Sequence, residues 1–273
     1  MLKSRLLTAF LIGPLILWAI YALPAIYFIA FAFVLVSVGA WEWSAFITEK
    51  LSTRVIFSAV NILLFAAIFI SDNSDINLLI IMASLLWWIV SIPLLLSFPF
   101  SKDNVIHTKF VTAVIGTVLL LATFVAMVTI RQDRDYGSAY ILYLILLIWF
   151  ADSGAYFAGR ALGKNKLLPT VSPGKTWEGV IGALVVTTIV SVVALNLLQI
   201  PSSQSLLFVV VTLITVIYSV IGDLSESMFK RMANIKDSGH IIPGHGGVLD
   251  RIDSMMSGFP IFFAGLWLME KFG

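Results

Sequence analysis

Apolar residues along this chain neither alternate nor recur every third or fourth position. They come in long, nearly unbroken runs parted by short polar stretches. Crossing roughly 30 Å of hydrocarbon takes about 20 such residues. Candidate runs lie at about 6–22, 24–46, 53–70, 76–97, 108–130, 138–158, 176–198, 204–222 and 254–270. The first two are separated only around Leu23-Pro24 and form either a tight hairpin or one broken element. Backbone groups in lipid must be hydrogen-bonded within their own segment, and the runs are too long and too uniformly apolar for barrel strands. The pattern predicts an all-α, polytopic helical integral membrane protein with about nine transmembrane helices. We divide it into N-terminal transmembrane helices, 1–136, and a C-terminal catalytic region, 137–273, with polar loops at 159–175 and 223–253.

Composition sharpens this reading. With 60% hydrophobic and 12% charged residues, the chain is too apolar for a water-soluble domain. Lys3 and Arg5 before the first run suggest a signal peptide, but the run carries on through Phe28 and Phe33 to Trp41 without a small-x-small cleavage site. A retained first span is expected. The absence of cysteine excludes disulfides, zinc–thiolate sites and a cysteine nucleophile, and a net charge of +2 gives no reason to expect nucleic acid. The distribution of charge says more than its sum. With the N-terminus placed in the cytoplasm, all of the 17 Lys and Arg except Arg131, Arg134 and Lys271 fall on the inner side. Both polar loops then face the cytoplasm, where nucleotides are.

The densest polar stretch, 223–253, reads DLSESMFKRMANIKDSGHIIPGHGGVLDRID. Carboxylates can hold Mg²⁺, Lys and Arg neutralise phosphates, and a Gly-rich turn lets backbone N–H groups approach phosphate oxygens, so the composition suits a metal–polyphosphate complex. If the preceding helix continues past the bilayer, Asp223, Ser227 and Lys230 share one face, with Glu226 beside them. Asp250 and Asp253, three apart, share a face at the start of the last helix. Two acidic helix ends bracketing Gly244-His245-Gly246-Gly247 are placed to meet around a divalent ion. Two histidines without cysteine make a poor zinc set, and for His245 phosphate contact is the better reading.

A second polar cluster runs from Asp152 to Glu178. Asp152, Tyr156, Gly159 and Arg160 recur at helical spacing, so Asp152 either pairs structurally with Arg160 or meets substrate or metal. Ser172-Pro173-Gly174-Lys175-Thr176 reads as a tight turn opening a helix near Trp177, either an anion site completed by Lys175 or a plain cap. Its spacing is wrong for a P-loop. Glu42, between Trp41 and Trp43, either lines a polar cavity or sits at headgroup level, and the outer loops around Asp72 and Asp133 read as solvated connections.

At these residues the chain resembles the phosphatidate cytidylyltransferases. The resemblance rests on Ser227, Lys230, Arg231, Lys236, Asp237, His245, Gly246, Gly247, Asp250, Arg251 and Asp253, on the lead-in Gly222-Asp223-Leu224, and on the upstream DSGAYFAGR and SPGKTWEG stretches. It spans about 152–253. It implies that CTP and phosphatidic acid give CDP-diacylglycerol and pyrophosphate, with Mg²⁺ and with a second cation left open. It also implies a homodimer in the inner (cytoplasmic) membrane. Asp223 and Asp250 are then the metal-binding carboxylates. Lys230, Arg231, Arg251 and Asp253 belong with them to the catalytic set. Asp152, Arg160, Ser172, Lys175, Ser227, Lys236, Asp237, His245, Gly246 and Gly247 form the expected substrate-binding set. Two rivals are a CTP-dependent kinase of a lipid alcohol, which would need a general base for the hydroxyl, and a transporter coupled through Asp152 and Glu42.

Overall fold

The computed structural model describes residues 13, 18, 20–100, 105–133, 136–241 and 246–272. Eight helices long and apolar enough to cross a membrane are found among them. They are α1 (Ala25–Ile47), α2 (Leu51–Ser71), α3 (Ser74–Ser97), α4 (Lys109–Gln132), α5 (Gly137–Leu162), α6 (Trp177–Leu197), α7 (Ser205–Met232) and α8 (Leu249–Phe272). The remaining expected span, 6–22, and the expectation that it is retained lie largely outside the described residues. The protein is an all-α polytopic membrane protein, with one small antiparallel hairpin of β1 (Lys166–Leu168) and β2 (Ser172–Thr176).

The hairpin corrects one expectation. Ser172–Thr176 is extended strand, and the chain reverses before it, where Val171 N–H donates to the Leu168 carbonyl at 3.2 Å. Pro173 can stand there because β2 is an edge strand in a two-stranded sheet. The helix start near Trp177 is as expected, with the Thr176 hydroxyl accepting from Gly179 N–H at 3.2 Å.

α4 is the hub. It packs on α1, α2, α3, α5 and α8 and has the largest buried share of any span. Small residues allow this. At Gly116 any Cβ would strike the Trp43 indole, whose Nε1 donates to the Thr112 carbonyl at 3.0 Å. Phe33, Phe65 and Phe124 meet edge-on and tilted in the middle of the bundle. By contrast, α2, α3 and α6 turn Leu63, Leu79, Ile181 and Val185 outward. Such apolar exposure would be a liability in water and is the expected face toward lipid.

Cross-links show which helix ends share a side. Arg54 of α2 donates to the Trp41 carbonyl and Ser44 hydroxyl of α1. Trp43 reaches Thr112 of α4, and Glu42 reaches the start of α8. The hairpin touches the end of α3 through Thr170 and the end of α7 through Arg231. The opposite end is marked by Arg131 on the Leu23 carbonyl and Gln204 on the Met269 carbonyl. Among the described Lys and Arg, only Arg131 and Lys271 belong to that opposite end.

Candidate functional site

Two polar nests occupy the charged end of the bundle, and both hang on the last turns of α7. That helix runs on to Met232, ten residues beyond the apolar run, because its final turns exchange lipid contact for ion pairs. In the first nest Lys175, carried across by β2, sets its Nζ 2.8 Å from Asp223 Oδ2 and 3.4 Å from the Val220 carbonyl. The Ser227 hydroxyl donates to Asp223 Oδ1 at 3.3 Å. This pair borders a cavity of about 440 Å³ between α5, α6 and α7, lined also by Asp152, Tyr156, Gly159, Arg160 and Thr176. The helical spacing of Asp152, Tyr156, Gly159 and Arg160 thus puts them on one wall. Arg160 bonds the Tyr156 hydroxyl at 3.1 Å, and none of the three ion pairs among the described residues joins it to Asp152. Gly159 and Gly179 let α5 and α6 close behind the cavity, since a Cβ at Gly179 would lie 3.0 Å from the Ala155 carbonyl.

The second nest is deeper. Lys230 Nζ lies 2.7 Å from Glu226 Oε2 and 2.6 Å from Asp250 Oδ1. Asp250 Oδ2 accepts from Ser238 N–H, the Ser238 hydroxyl and Gly247 N–H, each at 2.9 Å. Gly246 holds φ of +84°, a left-handed conformation that favours glycine, and a Cβ there would lie 2.9 Å from Asp250 Oδ2. Gly246 and Gly247 therefore pack closely against the Asp250 carboxylate.

Other expected residues are more scattered. Arg231 turns to the hairpin, its Nε 3.5 Å from the Val171 carbonyl. Ser172 stands on β2 opposite Leu168, outside the cavity lining. Lys236, Asp237 and Arg251 are exposed at the rim. Asp253 Oδ1 accepts from Ser254 N–H at 2.6 Å in the first turns of α8, which begins at Leu249, earlier than the apolar run. His245 lies outside the described residues.

Three site residues escape sequence reasoning or were left undecided by it. Ser238, buried between Asp250 and Glu42, was not anticipated, and nothing in its spacing announces it. Glu226 was seen beside the face but not assigned; it is buried, and its Oε1 has no hydrogen-bond partner. Glu42 is 1% exposed and bonded into the second nest, so it meets polar groups of the protein rather than solvent.

Among the described residues, no three His, Asp or Glu side chains are gathered into a ready-made metal cage. Mg²⁺ does not require one, because it commonly takes one or two carboxylates and completes its shell with water and substrate phosphates. Asp223 and Asp250 offer hard oxygen donors from adjoining helices, and the orphaned Glu226 Oε1 beside them is a further buried oxygen without a donor. The donor set fits such an ion. Each of these two carboxylates is paired with a lysine, Asp223 with Lys175 and Asp250 with Lys230.

The match to known proteins extends far beyond this site. A model described as the cytidylyltransferase family covers residues 3–269. The chain belongs to that family. A phosphatidate cytidylyltransferase of Pseudomonas aeruginosa is 37% identical over 268 residues, which is 98% of this chain and 97% of the relative. One of Haemophilus influenzae is 34% identical over 285 residues, covering 96% and 97% respectively. One of Bacillus subtilis is 40% identical over 154 residues, covering 55% and 57%. As a member of the cytidylyltransferase family, the protein is a nucleotidyltransferase.

Proposed function

We propose that this nucleotidyltransferase takes CTP and phosphatidate to CDP-diacylglycerol and pyrophosphate. The observation that carries the reading is the pairing of Lys175 with Asp223 in the wall of a cavity between membrane-spanning helices, in a chain matched over nearly its whole length by relatives bearing that enzyme name. A phosphate-bearing lipid can keep its chains in the bilayer while its headgroup enters between α5, α6 and α7.

An oxygen of the phosphatidate phosphate attacks the α-phosphorus of CTP, forming one P–O bond. The bond from that phosphorus to the bridging oxygen breaks, and pyrophosphate leaves with the electron pair. The attacking phosphate is already anionic, so no strong base is needed, and catalysis is mainly alignment and charge neutralisation. Arg160 and Lys175 bind phosphate oxygens in the cavity. Lys230 and the Gly246-Gly247 backbone address the triphosphate, with Arg231, Arg251 and Lys236 adding positive charge at the rim. Asp223 and Asp250 would hold Mg²⁺, which when bound screens the negative charge of the triphosphate oxygens. The Asp250 carboxylate keeps Lys230 in place until the nucleotide arrives.

The excess of Lys and Arg at the site end supports a cytoplasmic orientation in the inner membrane. A homodimer remains part of the proposal through family resemblance. The test is an assay of purified protein in mixed micelles with phosphatidic acid, labelled CTP and Mg²⁺. Pyrophosphate and lipid-soluble cytidine should appear together and vanish with EDTA. Release of CDP with phosphorylation of an added lipid alcohol would instead establish a kinase.

A further inference from the structure

Glu42 is the only carboxylate of α1, and it lies far in sequence from every residue of the two nests. It is 1% exposed, yet none of the three ion pairs among the described residues involves it. A carboxylate buried in a membrane bundle is costly unless its oxygens are satisfied. Three groups reach it, all from the stretch that carries the second nest. Leu249 N–H donates to Oε2 at 2.7 Å and Val248 N–H to Oε1 at 3.1 Å, and the Ser238 hydroxyl, its single proton shared with Asp250 Oδ2, lies 3.3 Å from Oε2. Glu42 therefore caps α8 from another helix and places its charge at the positive end of the α8 dipole. The loop is shaped around it, since a Cβ at Gly239 or Gly247 would run into the Glu42 carboxylate.

We propose that Glu42 is a positioning residue: it seats Ser238, Gly247 and the first turn of α8, and through them orients the Asp250 carboxylate toward Lys230. The chain of contacts is continuous. Glu42 meets Ser238, Ser238 N–H and hydroxyl meet Asp250 Oδ2, and Asp250 Oδ1 meets Lys230. A side chain serving only to fill that space would do so at lower cost if it were apolar. This inference rests on the cytidylyltransfer reading and adds a residue to it.

The experiment compares full-length wild type, Glu42→Gln, Ser238→Ala and the double variant in the mixed-micelle assay, with melting in detergent measured alongside. Glutamine keeps the volume, but its amide N–H₂ would confront the N–H of Val248 or Leu249. We expect Glu42→Gln to lower kcat about 10–100-fold, the range for residues that orient a ligand. KM for CTP and for phosphatidate should stay within about threefold of wild type. The double variant should be scarcely slower than Glu42→Gln alone, because both changes act on the same carboxylate. A normal kcat per folded molecule, with the loss confined to melting temperature, would overturn the proposal, and so would fully multiplicative effects. If Glu42→Gln does not fold, Glu42→Asp and Ser238→Ala decide by the same kcat criterion. An inactive but folded wild type would overturn the functional reading and this inference together. An active wild type with unimpaired variants would overturn the inference alone.

Discussion

The two lysine–aspartate pairs that join α7 to its neighbours, to β2 and to α8, are alike in chemistry and unlike in setting. Lys175 and Asp223 keep 25% and 33% of their side-chain surface exposed at the cavity, whereas Lys230 and Asp250 keep 12% and 8%. The first pair is held by one serine and a helix-end carbonyl. The second is enclosed by three donors to one oxygen and by a third charge, Glu226. An exposed pair contributes little to stability and can open for a ligand at small cost. A buried one is strongly destabilising to break by halves, since it strands a charge. The difference sets an adaptable pair beside the cavity against a fixed pair in the buried nest.

The most damaging way to probe this contrast is Lys230→Met. It leaves Glu226 and Asp250 facing each other without a cation, so activity should disappear and stability should fall by about 3–5 kcal/mol, read as a lowered melting temperature in detergent. Next comes Asp250→Asn. Turnover should drop by at least about 10²–10³-fold while the protein stays folded, since the change removes charge at the site without removing bulk. Near-normal turnover would take Asp250 out of the reaction. Lys175→Ala should be milder in stability, about 1 kcal/mol or less, while raising KM for phosphatidate roughly tenfold. If Lys175→Ala destabilises as much as Lys230→Met, the distinction between adaptable and fixed pairs fails. Smallest is Asp133→Asn, on the opposite end of the bundle, where stability should change by less than about 0.5 kcal/mol and activity should hold. A large loss there would relocate the site.

Parts of the site were readable along the chain because they obey helical spacing. Asp152, Tyr156, Gly159 and Arg160 on α5 line one cavity, and Asp223 bonds Ser227 one turn along α7, as their intervals require, while Lys230 pairs instead with Glu226 and Asp250. The strand at Ser172–Thr176 was not readable that way, since Pro and Gly suggest a turn until a partner strand is known. The start of α8 was legible too: Asp250 and Asp253 interrupt the apolar run that marks a span, but they are good residues for a helix's first turns, and the helix begins at Leu249.

By itself the sequence determined the class of the protein, because so apolar a chain can only satisfy its backbone as membrane helices. It also determined where the chemistry is concentrated, because charge in such a chain is too costly to keep without use. Only the tertiary structure decided which charges meet. Lys230 and Asp250 are 20 residues apart, and Glu42 and Leu249 are 207 apart. Such partners are chosen by how α1, α7 and α8 pack, and hydrophobic periodicity carries no information about which helices become neighbours.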